Sequence, residues 1–131
     1  MAKKFKINIV TADGKKLTDE AEILNVVIST GSIGIMANHL PLIAVIEISH
    51  LNYKKDGKIQ EYAISGGILN VKKDEVSILA DSFEAKEEID YERAEKAKLR
   101  AEERLSSKEP NIDIKKAELS LKRALNRLTM R

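Results

Sequence analysis

"RAEKAKLRAEERL", Arg93 to Leu105, and "KAELSLKRALNRL", Lys116 to Leu128, superpose with an offset of 23 residues. Lys116 falls over Arg93, Arg123 over Arg100 and Arg127 over Arg104, while Ala94, Ala101 and Leu105 meet Ala117, Ala124 and Leu128. At about 100° per residue the three basic positions of each copy lie within about 40° of one another, forming one row along a helix. An apolar stripe runs about 100° to one side of that row: Ala94, Ala97, Ala101 and Leu105 in the first segment, Ile114, Ala117, Leu121, Ala124 and Leu128 in the second. "SSKEPN", with Pro110, interrupts the period between them, so the two segments read as an antiparallel helical hairpin. Asn111 or Asp113 is the expected N-cap of the second helix.

Antiparallel helices that face each other through equivalent stripes are related by a two-fold axis, so equivalent flanks emerge together. Arg93, Arg100, Arg104, Lys116, Arg123 and Arg127 are therefore expected on one face of the closed hairpin, with Arg93 opposite Arg127. Like charge beside like charge is unfavourable unless an anion or an acidic surface sits between. Glu92 with Lys96, and Glu118 with Lys122, stand in the favoured i,i+4 order for ion pairs. The rows alone leave four readings open: a solvated flank, an acidic protein partner, a phosphate ligand, or nucleic acid. The seam is rich in alanine, so Leu105, Ile114, Leu121 and Leu128 are expected to supply most of the packing, and the hairpin should be marginal alone.

Upstream, to about residue 83, the period is that of strands. "KFKINIV" alternates, "EILNVVIS" and "PLIAVIEI" are β-branched runs, and "EYAISGG", "ILNVKK" and "EVSILA" follow at short spacing. Turn signals fall at Asp13-Gly14, in "TGSIG" at 30–34, at Asp56-Gly57 and at Gly66-Gly67, where a turn or bulge is expected. Many short strands with regular turns mean a sandwich or barrel. The expected fold class is α+β: an N-terminal all-β sandwich or barrel over 1–86, then a C-terminal antiparallel two-helix hairpin over 87–131.

Composition narrows the functional classes. The 131 residues include no cysteine, which removes disulfides and thiolate metal sites, and only two histidines, at 39 and 50, too few for a metal centre. No long apolar run suggests a signal peptide or a spanning helix. Net charge is +2, divided as −1 over residues 1–85 and +3 over 86–131, and all six arginines lie in the second part. Arginine offers a fixed fork suited to carboxylate or phosphate, whereas the lysines of the first part are ordinary solubilising charges. With no tryptophan and 4% aromatic residues there are few platforms for stacking nucleic-acid bases. "GSIGIM" lacks the lysine and hydroxyl of a phosphate loop and reads as a turn; His39 reads as a satisfied structural histidine. No catalytic constellation is found.

The ordered set "TGSIGIMANHLP" (30–41), "AISGGILNV" (63–71), "VSILAD" (76–81) and "IDYERA…RAEERL…AELSLKRALNRL" resembles the epsilon subunit of bacterial F-type ATP synthases along nearly the whole chain. The resemblance implies a β-sandwich attached to the central rotor beside the gamma subunit and the c-subunit ring. It implies a C-terminal hairpin that folds against the sandwich or extends toward the alpha and beta subunits of the catalytic head. In this family the extended form inhibits ATP hydrolysis, and in several members the folded form binds ATP. The chain is then not an enzyme and requires no cofactor or metal, with ATP as a regulatory ligand. It binds no nucleic acid and meets the membrane only through the complex, on the cytoplasmic side of the bacterial cell membrane. The family's nucleotide motif is matched by Ile89, Asp90, Arg93 and Ala94; Glu84 matches the position associated with the adenine amino group, and Arg100, Arg123 and Arg127 match arginines around the phosphates. Ala12 stands where a proline is common, which should affect only a turn. A hairpin that meets only acidic protein surfaces, without nucleotide, is the alternative expectation.

Overall fold

The computed structural model describes residues 3–131. The chain divides between Ala85 and Lys86 into two compact units. The first is built from β1 (Phe5–Thr11), β2 (Lys16–Ala21), β3 (Ile23–Ile28), β4 (Gly31–Ile35), β5 (Leu42–Lys55), β6 (Lys58–Val71), β7 (Glu75–Ala80) and β8 (Phe83–Ala85). The strands follow one hydrogen-bonded path, β2-β1-β7-β6-β5-β3-β4, and β8 joins β6 beside β7. All neighbours are antiparallel except β1 with β7.

Period-2 patterning decides which side of each strand is core. Phe5, Ile7 and Ile9 of β1, Leu24, Val26 and Ile28 of β3, and Val76, Ile78 and Ala80 of β7 are buried while the residues between them are not. The two long strands depart from strict alternation. In β6 the inward positions are even up to Tyr62 and Ile64 and odd from Leu69 and Val71 onward; in β5 they pass from Ile46 to Leu51 and Tyr53. A strand whose inward face changes midway passes from one layer of a sandwich to the other.

Gly66-Gly67 sits at that change in β6. The expected turn or bulge is absent: β6 runs on unbroken, and its pairing with β5 keeps one register from Leu42↔Val71 to Lys55↔Lys58. The glycines supply a bend instead. Gly66 has φ +88, and a Cβ on Gly67 would lie 2.3 Å from the Leu79 carbonyl oxygen. "GSIGI" is likewise strand β4, with the turn one step earlier at Ser29-Thr30, between the paired Ile28 and Gly31. Asp56-Gly57 does form the expected two-residue turn, with φ +50 and +78.

The second unit begins with a 3₁₀ turn, Lys86–Glu88, followed by α1 (Tyr91–Ser106) and α2 (Ile114–Leu128). Their seam is small: Ala94, Ala101, Ala117 and Ala124 are buried, and Leu105, Leu121 and Leu128 are half-buried. Ile114, expected in the seam, is 60% exposed. Three residues before Ala117, it projects about 60° off that alanine, on the flank away from the arginines. Leu99, Leu119 and Leu125 are also exposed, so the hairpin leaves more large apolar side chains outside its seam than a self-sufficient pair would.

Candidate functional site

The start of α1 is set by Asp90. Its Oδ1 accepts the Arg93 backbone N–H at 3.0 Å, and its carbonyl accepts the Ala94 N–H at 3.0 Å. Ile89 precedes the cap and Ala94 is the fourth helical residue, and both are buried, the positions of a hydrophobic staple. Within Ile89-Asp90-x-x-Arg93-Ala94, then, three residues build the helix start, with Ile89 and Ala94 buried, and Arg93 is exposed.

The same box recurs at the start of α2. Asp113, one of the two expected caps, accepts the Lys116 N–H at 3.1 Å, and the Ala117 N–H donates to the Asp113 carbonyl at 3.1 Å. Ile112-Asp113-x-x-Lys116-Ala117 repeats Ile89-Asp90-x-x-Arg93-Ala94 at the same offset of 23. The superposition that begins at Arg93 extends four residues further upstream, so the repeated cap box is itself present in the sequence.

At the open end of the hairpin, the Arg131 guanidinium lies 4.9 Å from the centroid of the Tyr91 ring. The end of α2 is thereby fastened beside the start of α1, bringing Arg127 and Arg93 to the same end. At the bend, Arg104 and Lys116 line a common hollow of about 240 Å³ with Asn111 and Asp113. The basic rows therefore run along an antiparallel pair as the periodicity requires.

Counter-charges are scarce along them. Among the described residues, Arg93, Arg100, Arg104, Lys116 and Arg123 make no ion pair. Glu92 pairs with Lys96 at 3.5 Å, as expected, but Glu118 and Lys122 do not pair; Glu95 and Lys98 approach at 3.9 Å instead. These are surface contacts worth about 0–1 kcal/mol each. Arg123 differs from the rest, since its Nε is buried and has no hydrogen-bond partner among the described residues. A buried charged donor without an acceptor is costly, and a phosphate or carboxylate oxygen would remove the cost.

Glu84 belongs to the other unit. It lies half-buried in β8, paired with Ala63 of β6. The structure thus groups Ile89, Asp90, Arg93, Ala94, Arg100, Arg123 and Arg127 on one hairpin and places Glu84 on the sheet. His39 is satisfied, its Nδ1 donating to the Leu40 carbonyl at 2.7 Å. Among the described residues no group of three or more His, Cys, Asp and Glu side chains could hold a metal ion, and no helix is long and apolar enough to cross a membrane.

A β-sandwich unit that carries an antiparallel helix pair, capped twice by one sequence box and basic along one face, is a recognisable class of two-part subunit. The model of the ATP synthase delta/epsilon chain β-sandwich domain matches residues 4–86, and that of the long α-helix domain matches 87–130; the chain belongs to this family. The ATP synthase epsilon chain of Bacillus licheniformis is 48% identical over 126 residues, 96% of either chain. That of Desulfitobacterium hafniense is 44% identical over 128 residues, covering 98% of this chain and 96% of the relative. A chain in the mitochondrial ATP synthase of Euglena gracilis, solved with OSCP, F1 and the c-ring, shares the fold at a TM-score of 0.80 and 22% identity, over 94% of this chain and 78% of that one.

Proposed function

We propose that this chain is the non-catalytic epsilon-type subunit of the central stalk of a bacterial F-type ATP synthase, peripheral on the cytoplasmic side of the cell membrane. Its sandwich attaches to the gamma subunit and the c-subunit ring, and its hairpin restrains ATP hydrolysis by extending toward the alpha and beta subunits. ATP holds the hairpin folded, its phosphates drawn to Arg93, Arg100, Arg123 and Arg127, with Glu84 reading the adenine amino group. The observation that carries the nucleotide reading is the buried Nε of Arg123, without a hydrogen-bond partner among the described residues, on a basic face where Arg93, Arg100, Arg104 and Lys116 make no ion pair among those residues. Attachment through the sandwich is supported by an exposed apolar row across three neighbouring strands, Leu79, Ile68 and Val45, standing directly opposite one another in register and continued on β1 by the half-buried Val10.

Calorimetric titration of the purified protein with ATP, and with GTP as control, tests the nucleotide reading. Saturable, ATP-selective binding is expected; no binding at millimolar ATP rejects it. A second reading keeps the rotor role but has the hairpin meet only protein. It is favoured by the exposed Leu99, Ile114, Leu119 and Leu125, which suit a partner surface better than a nucleotide. Removing residues after 86 would then release hydrolysis in the assembled enzyme while nucleotide leaves the isolated chain unchanged.

A further inference from the structure

β8 is three residues long, held to β6 through Tyr62↔Ala85, Ala63↔Glu84 and Ile64↔Phe83, and the helical unit begins at the next residue, Lys86. So short a strand has little pairing energy of its own. It is reinforced from the turn between β1 and β2. The Lys15 ammonium donates to the Phe83 carbonyl at 2.6 Å and lies 4.5 Å from the centroid of the Phe83 ring. Phe83 is buried and packs edge-on against Tyr62, with centroids 5.8 Å apart. One cation thus engages both the backbone and the ring of the same residue.

Lys15 is itself fixed. The Thr11 N–H donates to the Lys15 carbonyl at 2.9 Å, the Lys15 N–H to Thr11 Oγ1 at 3.1 Å, and the Gly14 N–H to the Thr11 carbonyl at 3.1 Å. The buried Thr11 also donates its hydroxyl to the Asp13 carboxylate, which holds that carboxyl below its ordinary range. Gly14, with φ +98, lets the turn close. The turn therefore presents the ammonium to Phe83 from a braced backbone.

From this geometry we infer that Lys15 is a latch that keeps β8 on the sheet, so that the hairpin swings about the residues after Ala85 and not by peeling the strand that carries Glu84. The inference deepens the proposed function and rests on its reading that the hairpin moves. The test is hydrogen exchange read by mass spectrometry on the intact chain, comparing wild type with Lys15→Met, which keeps the unbranched stem and loses the charge, and with Lys15→Arg, which keeps both. Losing a charged hydrogen bond should speed exchange at residues 83–85 by about 10- to 100-fold, with β1 and β7 unchanged and the Arg variant within a few-fold of wild type. Unchanged exchange at 83–85, equal acceleration over the whole sheet, or an Arg variant as fast as the Met variant would overturn the latch. Exchange there needs neither ATP nor the other subunits, so a failed latch and a failed rotor reading are separate results.

Discussion

One carboxylate oxygen of Asp90, Oδ1, accepts the backbone N–H of Arg93 at 3.0 Å, and Asp113 repeats the contact on Lys116 at 3.1 Å. The residue that the nucleotide motif offers at position 90 therefore also caps the helix that carries Arg93. Asp90→Ala should cost about 0.5–2 kcal/mol of hairpin stability, whereas Asp90→Asn, an equally good cap, should cost little. Far-UV circular dichroism during thermal unfolding, paired with ATP titration, separates the roles. If the Asn variant keeps its helix but loses ATP affinity, the carboxylate touches the ligand and capping is not its whole function.

Arg123→Ala removes the buried donor that lacks an acceptor. In the free protein this should be neutral or slightly stabilising, since an unsatisfied group leaves with it. In ATP binding it should cost a charged hydrogen bond of about 1.5–3 kcal/mol, roughly 10- to 100-fold in affinity. Arg93→Ala and Arg127→Ala should lose a similar factor. Calorimetry on the three variants, alongside unfolding curves without ligand, checks both halves; unchanged ATP affinity in all three removes the arginine face from the nucleotide site.

How far these residues could be read from sequence depended on how local their causes are. The hairpin was legible because a period of 3.6 stated twice leaves few alternatives, and its second cap was legible as one of two candidates. Ile114 was misplaced because a stripe counted in threes and fours tolerates a drift of about 60° that burial does not. Gly66-Gly67 signals a break in either a turn or a bent strand. Only the unslipped pairing of β5 with β6 tells them apart, and pairing is set across the sheet. The Lys15 contact joins residues 68 apart in sequence and has no local signature at all. The same is true of the bonds that Tyr53 and Lys55 make to Asp19, 34 and 36 residues away.

That last network makes the sandwich acid-sensitive. Burial alone would raise the Asp19 carboxyl, but hydrogen bonds from Lys55 at 2.6 Å and from the Tyr53 hydroxyl at 2.7 Å outweigh it and hold Asp19 below its ordinary value. A group with a depressed folded pKa contributes stability that is present above its unfolded pKa and lost as pH falls through the folded one. Stability should therefore drop below about pH 4, and Asp19→Asn should be less stable at neutral pH with a shallower acid slope. Burial and the Asp19 carboxylate push the Tyr53 hydroxyl well up, so it stays a donor. Tyr53→Phe should cost about 1.5–3 kcal/mol at pH 7 and less once Asp19 is protonated. Urea unfolding at a series of pH values measures both, and an acid slope unaltered by Asp19→Asn would place the sensitivity elsewhere.

Gly67→Ala should be the most damaging single methyl in the sheet. The added carbon would lie 2.3 Å from the Leu79 carbonyl oxygen and 2.9 Å from the Ala80 Cα, backbone atoms that cannot turn aside. A cost of about 3 kcal/mol or more is expected, seen as a fall in the midpoint of chemical unfolding. A loss below about 1 kcal/mol would mean that β6 and β7 separate easily and that the bend is not fixed by this close approach.

Ile68 offers a test in which fold and attachment part company. It is 50% exposed, flanked in register by Val45 at 58% and Leu79 at 55%, so the row they form is solvated in the isolated chain. A charge placed there meets water and not core, and Ile68→Asp should change the stability of the free protein by no more than about 0.5 kcal/mol. The same charge at the centre of a docked apolar surface would be desolvated without a partner, costing about 2 kcal/mol or more of binding. Reconstitution with purified gamma subunit, followed by size-exclusion chromatography, should show Ile68→Asp failing to co-elute at concentrations where wild type assembles. Lys58→Asp, in the exposed turn region of the β5–β6 hairpin, should assemble normally. If both variants assemble alike, the row is not the attachment surface, and the sandwich must reach its partner by another face.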